Sequence, residues 1–532
     1  MTEAKTDVAR PLPIAVVNAR VWTFDAVVPS ASAFLVVDGR IARVGSTAEI
    51  LGAAGREART LDCSGATVVP GFVDGHCHFE LTCVTTDRWL NVHTPPFDSL
   101  TEIAEAIGQR LEEDDETSDE WLLCRSSFAA HEKVREQRLF TRQELDRLSD
   151  RRPLAVFASL HVASLNTVAL RRLGLWDSSA PHPFHGVVHR DGDGTPTGVV
   201  TEVFMMVPSP GSDDEFLRSV QRHGHDLFGA SGTTTVLTMP ESVRQVHLLR
   251  ELHRQRGLGL RQRYYLISPG VATMDEASQL LRAEQPTDTF SFGGLKVFVN
   301  GCGHDGLGSR LEDVKWTEGE LSAFVVEADR RGIQVWLHSL TADGVRMAAR
   351  AILEAGGHRG NPRRHRIEHG GDYVDLEDLG LIAASGALMV TTPQFLHSMS
   401  ADETGPRAPV RSLAAAGIRV LGGTDSTGTV PSSVSILGNV ATAVTRRRTD
   451  GTVLHADESL DVEDAFRLFT TNAAYGGFLE DHVGSLSVGK RADFALLSED
   501  PREVDPLELG RVRVLSTHLG GECVWNSDRG GE

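Results

Sequence analysis

The sequence predicts an α/β protein whose main body is a (β/α)8 barrel, the TIM barrel. Three observations lead there. Short apolar strands recur along the chain, helix-sized amphipathic stretches separate them, and several strands end in a histidine or an aspartate. Parallel strands need a crossover of a dozen or more residues, usually a helix, so regular strand–helix alternation argues for a parallel sheet. Eight such repeats argue for a closed barrel, whose chemistry sits at the C-terminal ends of its strands.

The first strand lies in "ATVVPGFVDGHCH". The others are "GTTTVLTM" (232–239), "RQRYYLIS" (261–268), "GGLKVFVN" (293–300), "IQVWLHS" (333–339), "RHRIEHG" (364–370), "ALMVTTP" (387–393) and "IRVLGGTD" (418–425). Between them, "ESVRQVHLLRELHRQRG" and "EGELSAFVVEADRRG" are apolar at helical spacing. The barrel is therefore expected over residues 69–84 and 231–475.

Both chain ends read as β structure. "PIAVVNARVWTF" is rich in β-branched residues, and "AFLVVDGRIARVG" sets Asp38-Gly39 between two alternating runs, a hairpin signal. "GSLSVGKRADFALLSED" and "VRVLSTHLGGECVW" again look like strands with glycine-rich turns. Residues 1–68 and 476–532 are expected to join in one small β-rich domain. Residues 85–230 form a long insert after strand one, far beyond a usual connection. It holds "EWLLCRSSF", "PLAVFASLHVASLNTVALRRLG" and "GVVHRDGDGTPTGVV", the last with a turn at Asp191–Gly194. Its acidic run "LEEDDETSDE" (111–120) reads as a solvated face. An insert here would cover the barrel mouth as a lid or substrate-binding subdomain.

Composition narrows the function classes. The chain has 532 residues, 40% apolar and 24% charged, which is globular rather than disordered. Its formal charge of 53 − 73 = −20 argues against a nucleic-acid partner. No apolar run approaches the ~20 residues needed to span a membrane, and "MTEAKTDVARPLP" lacks the apolar core of a signal peptide. Six cysteines without Cys-x-x-Cys spacing suggest neither a disulfide framework nor a structural zinc site. A cytoplasmic enzyme acting on a small molecule, with a homodimer as one possible assembly, fits these features.

The strand ends carry the chemistry. Strand one ends in His76 and His78, strand five in His338, strand six in His369 and strand eight in Asp425, and Lys296 lies inside apolar strand four. Singly, each has a structural explanation: a hydrogen-bonded core histidine, a helix N-cap aspartate, or a lysine whose amine reaches the surface. Together, four histidines and an aspartate at the catalytic ends of one barrel point to a metal.

"VVPGFVDGHCH", "HRIEHG", "LGGTD" and "GSLSVGKRADFALL" resemble the amidohydrolase superfamily of metal-dependent hydrolases. The chain is most similar to the YtcJ-like branch, which includes N-substituted formamide deformylases, over about residues 14–525. The resemblance implies that His76, His78 and Asp425 hold one metal and that His338 and His369 hold a second. Lys296, carboxylated on its amine, would bridge the two. A single metal on His76, His78, one further histidine and Asp425 is the other arrangement. Zinc suits these ligands, with iron, manganese, cobalt and nickel as alternatives.

The function implied is hydrolysis of a C–N bond, in an amide or N-acyl group, with Asp425 as the proton shuttle. Decarboxylation or isomerisation on the same barrel, or a non-catalytic scaffold, are the competing functions. Three segments depart from the branch: Asn300-Gly301 stands for its usual Asp-Gly, "LTADG" (340–344) lacks its Gly-Asp, and "LCRSSF" replaces its Gly-x-Gly-Trp. His161 in "SLHVASLN" and His304 in "GCGHDG" are candidates for substrate contact.

Overall fold

A computed structural model describes residues 12–114, 118–128, 130–177, 186–208, 211–283, 286–301, 316–398, 408–426 and 431–529. Eight strands form one sheet in strict chain order. They are β1 (Phe72–Cys77), β2 (Thr233–Thr238), β3 (Arg261–Ile267), β4 (Phe290–Phe298), β5 (Gln334–His338), β6 (Arg366–Glu368), β7 (Leu388–Thr391) and β8 (Val420–Gly422). Every neighbouring pair is parallel. The strands are almost wholly buried because they are covered on both sides, by helices outside and by packed side chains inside. The interior layer includes Val73, Leu237, Tyr265 and Trp336, with the Tyr265 and Trp336 rings stacked 3.7 Å apart. This is the (β/α)8 barrel.

β1 and β8 meet without a hydrogen-bonded ladder among the described residues. Side chains and single backbone bonds make the seam instead. The Asp425 N–H donates to the His76 carbonyl at 2.9 Å. The Asp74 carboxylate accepts from the Thr424 N–H at 3.0 Å and from its hydroxyl at 2.5 Å. Glycine permits this approach: a Cβ on Gly75 would lie 2.5 Å from the Gly422 carbonyl oxygen, and one on Gly423 would lie 2.6 Å from the His76 Cβ. The two strands that carry His76, His78 and Asp425 are thus held edge to edge at their C-terminal ends.

The two chain ends share one sheet, whose order is Glu522–Asn526, Val514–Leu519, Phe494–Leu497, Thr67–Pro70, Arg20–Trp22 and Ser30–Ala31. A second sheet orders Arg40–Gly45, Ala33–Val37, Ile14–Val17 and Arg59–Asp62. Ile14, Val16, Phe34, Val36, Val68, Phe494 and Leu496 pack between them. The hairpin at Asp38-Gly39 forms with φ of 51° and 73°, the doubly left-handed pattern of a type I′ turn. In the insert, strands order as Val188–Arg190, Pro196–Thr201, Val162–Leu165, Leu154–Phe157, Leu122–Arg125 and Leu90–Asn91. The last three run parallel, and the first two are the hairpin around Asp191–Gly194.

Candidate metal centre

The residues that end β1, β5, β6 and β8 converge. One ligand atom each of His76, His78 and Asp425 lies within 4.8 Å of the others. Asp425 Oδ1 is 3.4 Å from His76 Nε2 and 3.3 Å from His78 Nε2. The His369 ring is 4.8 Å from that of His76 and 4.7 Å from that of His338. Lys296, only 1% exposed, sets its Nζ 5.4 Å from the Phe298 ring centre, and that ring lies 4.8 Å from His338.

Backbone conformation completes the convergence. Consecutive strand residues point to opposite faces, yet both Glu368 and His369 contact His76. The chain manages this at His369 with φ of 63°, and Asp425 is left-handed too, at 43°. Non-glycine residues rarely adopt such values, and they cluster where function over-determines the fold.

The donor set suits a metal. His76 Nε2, His338 Nε2 and His369 Nδ1 are buried without a hydrogen-bond partner, and an unpaired buried polar atom is costly unless something else binds it. Burial holds His78 below the ordinary histidine range and His338 and His369 well below it. Those imidazoles are neutral, as metal ligation requires. Burial pushes the Asp425 carboxyl up, but the His76 and His78 ring nitrogens, 3.4 and 3.3 Å away, outweigh it and hold the group well below its usual range. Burial lowers the Lys296 ammonium to about 8, so neutral amine is accessible near physiological pH.

Behind His76 stands a pair that the strand-end pattern did not single out. His76 Nδ1 meets the Glu368 carboxylate. Arg366 grips the same carboxylate through Nε at 2.8 Å and Nη2 at 2.7 Å. Nη2 also donates to the Gly75 carbonyl at 2.7 Å, and the guanidinium lies 3.9 Å over the Trp336 ring. Burial opposes ionisation of Glu368, but Arg366 and then His76 outweigh it and keep the carboxylate well below its usual range. A carboxylate on Nδ1–H fixes the tautomer, which leaves Nε2 as the ligating atom. The available signal was the opposite charges at i and i+2 inside "RIE", a strand with no exposed residue.

His161 sits in the turn after the insert strand Leu154–Phe157. Its Nδ1 is 3.1 Å from the Glu202 carboxylate oxygens, and its ring is 5.5 Å from that of His338. The insert therefore reaches the mouth of the barrel. His304 lies outside the described residues.

The model of the amidohydrolase family matches residues 59–525. The chain is 28% identical to the N-substituted formamide deformylase of Arthrobacter pascens, covering 95% of this chain and 97% of the relative. It is 24% identical to the putative amidohydrolase YtcJ of Bacillus subtilis (strain 168), covering 93% and 96%. A solved structure of an uncharacterized metal-dependent hydrolase from Pyrococcus horikoshii OT3 superposes with a TM-score of 0.71 at 19% identity, covering 93% of this chain and 99% of the other. That last likeness is one of fold. The family match spans both the barrel and the paired chain ends, and the protein belongs to the amidohydrolase family, in its YtcJ-like branch.

Proposed function

We propose that this amidohydrolase is a metal-dependent enzyme that cleaves a C–N bond in an amide or N-acyl group of a small molecule. The observation that supports it is the set of buried, unpartnered imidazole nitrogens of His76, His338 and His369 gathered with His78 around the Asp425 carboxylate. His76, His78 and Asp425 would hold one ion, His338 and His369 a second, and Lys296 would join them as a carbamate. That last step forms an N–C bond between the neutral Nζ and CO₂ and releases a proton, which the low affinity of the buried amine for its proton favours.

A divalent metal, zinc by its preference for imidazole and carboxylate, supplies Lewis acidity and lowers the pKa of water toward about 7. Asp425 accepts the proton of the attacking water and returns it to the departing nitrogen, so that a neutral amine leaves. Glu368 and Arg366 hold His76 in the tautomer that turns Nε2 to the centre. The β-rich unit of residues 1–68 and 476–532 supports the barrel of 69–84 and 231–475, while the insert of 85–230 covers the substrate, with His161 at its tip. The name of the Arthrobacter pascens relative makes N-substituted formamides the first substrates to try.

The test is elemental analysis of protein purified without chelator, alongside amine release from N-substituted formamides. About two metals per chain, with activity lost on chelation and restored by zinc, is the expected result. A value near one selects the single-metal arrangement. A fully loaded protein that hydrolyses no amide overturns the proposal.

A further inference from the structure

We infer that the substrate carries a carboxylate, which Arg125 and its neighbouring donors hold at the end of the insert sheet that faces the metal centre. This assignment rests on the hydrolytic reading above and adds the chemical class of the part remote from the scissile bond. Arg125 and Ser126 fall in "LCRSSF", a segment the hydrolytic reading leaves without a role.

Position comes first. Arg125 ends the strand Leu122–Arg125 and is in register with Asn91 on one side and Phe157 on the other. Just past Phe157 the chain turns tightly, with the Ala158 N–H donating to the Val162 carbonyl at 2.9 Å. That turn carries His161, whose ring rests 5.5 Å from His338. Arg125 and His161 therefore leave the same end of the same sheet. A second link runs through the helix Phe79–Arg88, which starts directly after His78. Arg125 Nη1 donates to Thr85 Oγ1 at 3.3 Å. In the turn before, the Thr82 hydroxyl bonds the His78 carbonyl at 2.8 Å and the Ser426 hydroxyl at 3.0 Å.

Unused donors come second. Arg125 Nε, Thr94 Oγ1 and Ser126 Oγ are all buried without a hydrogen-bond partner. Two adjacent chain segments bring them together. The Val92 N–H donates to the Arg125 carbonyl at 2.9 Å, and the Thr94 N–H donates to Ser127 Oγ at 2.8 Å. The same hydroxyl donates to the Thr94 carbonyl at 2.9 Å and lies 3.3 Å from His93 Nδ1.

Charge comes third. Among the described residues, no carboxylate forms an ion pair with Arg125, whose guanidinium burial lowers to about 10, still cationic at neutral pH. A buried cation without a counter-charge is costly, and natural sites keep one where a ligand supplies the anion. Burial drives His93 down to about 3, helped by Arg125 and Lys133, so its imidazole is neutral and adds no charge beside Arg125. A planar guanidinium edge and two hydroxyls match the several lone pairs of a carboxylate.

The test uses full-length, metal-loaded protein and two formamides that differ only in the carboxylate, N-formylphenylalanine (both hands) and N-formyl-2-phenylethylamine. Wild type should favour the acid. Arg125→Gln should lose that preference through KM by roughly 10- to 150-fold, the worth of one charge-assisted hydrogen-bonded contact. Its turnover of the neutral formamide should stay within about threefold, and Arg125→Lys should recover part of the loss. A wild type indifferent to the carboxylate, or an Arg125→Gln that loses both substrates alike, overturns the inference; the latter makes Arg125 a strut between the insert and Thr85. Calorimetry with 3-phenylpropionate and 3-phenylpropionamide separates the two proposals. If no amide is hydrolysed but wild type binds the acid roughly 10- to 150-fold more tightly than Arg125→Gln, the anion site stands and the hydrolytic reading falls. Equal binding by the two proteins, or none, overturns the anion site.

Discussion

Glu368→Gln separates charge from shape at the residue that grips His76. Glutamine keeps the volume and one carbonyl oxygen, but it no longer answers the charge of Arg366. Both members of that pair are fully buried, at 0% exposure each, and removing one partner of such a pair costs about 3–5 kcal/mol. At about 2.1 cal/mol/K per residue, the unfolding entropy of a chain this long is roughly 1.1 kcal/mol/K. The melting temperature of the metal-free protein should therefore fall by only about 3–5 °C. The larger effect should be on the metal, because loss of a carboxylate behind a ligating histidine typically weakens binding about 10- to 100-fold. Competition against a fluorescent chelator gives the zinc Kd, and melts of the same metal-free samples give the stability change. A variant with wild-type zinc affinity would refute the tautomer role assigned to Glu368. A weakened affinity with an unchanged melt would show that the Trp336 face and the Gly75 carbonyl already neutralise Arg366.

Asp425→Asn should lower kcat by at least about 10²- to 10⁴-fold while His76, His78, His338 and His369 retain metal; full metal with near-normal turnover would exclude Asp425 as the base. Glu80 is buried behind β2 and β3, and burial raises it to about 7 despite hydrogen bonds from Thr238 and Gln262. Its neutral form is the stable one in the fold, so wild-type stability declines as pH rises from about 4.5 to about 7, by roughly 3 kcal/mol. Glu80→Gln does not titrate, so its melting temperature should gain on wild type across that window, whereas a gap that is constant from pH 4 to 8 would refute the shift. Gly75→Ala puts a methyl 2.5 Å from the Gly422 carbonyl, which should lower both the melting temperature and the zinc content of the protein as purified.

The barrel strands were legible because short apolar or β-branched runs recur between helix-sized amphipathic stretches, and parallel order follows from that alternation. Asp38-Gly39 announced its hairpin for an equally local reason, since few residue pairs tolerate two positive φ values. The insert sheet was legible only as separate strands. Which short strand pairs with which is set by long-range packing, and periodicity does not record it. At the centre, polar strand ends marked His76, His78, His338, His369 and Asp425. Arg366 and Glu368, the two ends of the three-residue β6, went unmarked because His369 directly after them reads as the polar close of that strand. Nothing in the residue type of His369 foretells its left-handed backbone, and without that turn a strand pattern assigns Glu368 and His369 to opposite faces.

The seam between β1 and β8 gives the centre a history as well as a geometry. Thr424 and Asp74, which close it, are 350 residues apart in the chain. On the ribosome the two histidines of β1 emerge early and wait until nearly four-fifths of the polypeptide exists before Asp425 can join them. No shorter nascent chain possesses all five residues, so an ion held by the whole set would be captured only after β8 has emerged. An ion gripped by both edges would then act as a rivet across a junction that, among the described residues, no backbone ladder closes. Metal starvation would be felt first as a barrel that gapes along this line, exposing its stacked interior of Tyr265, Trp336 and Arg366. Protease cutting near residues 70–78 and 418–426 would report that state before any loss of the remaining strands.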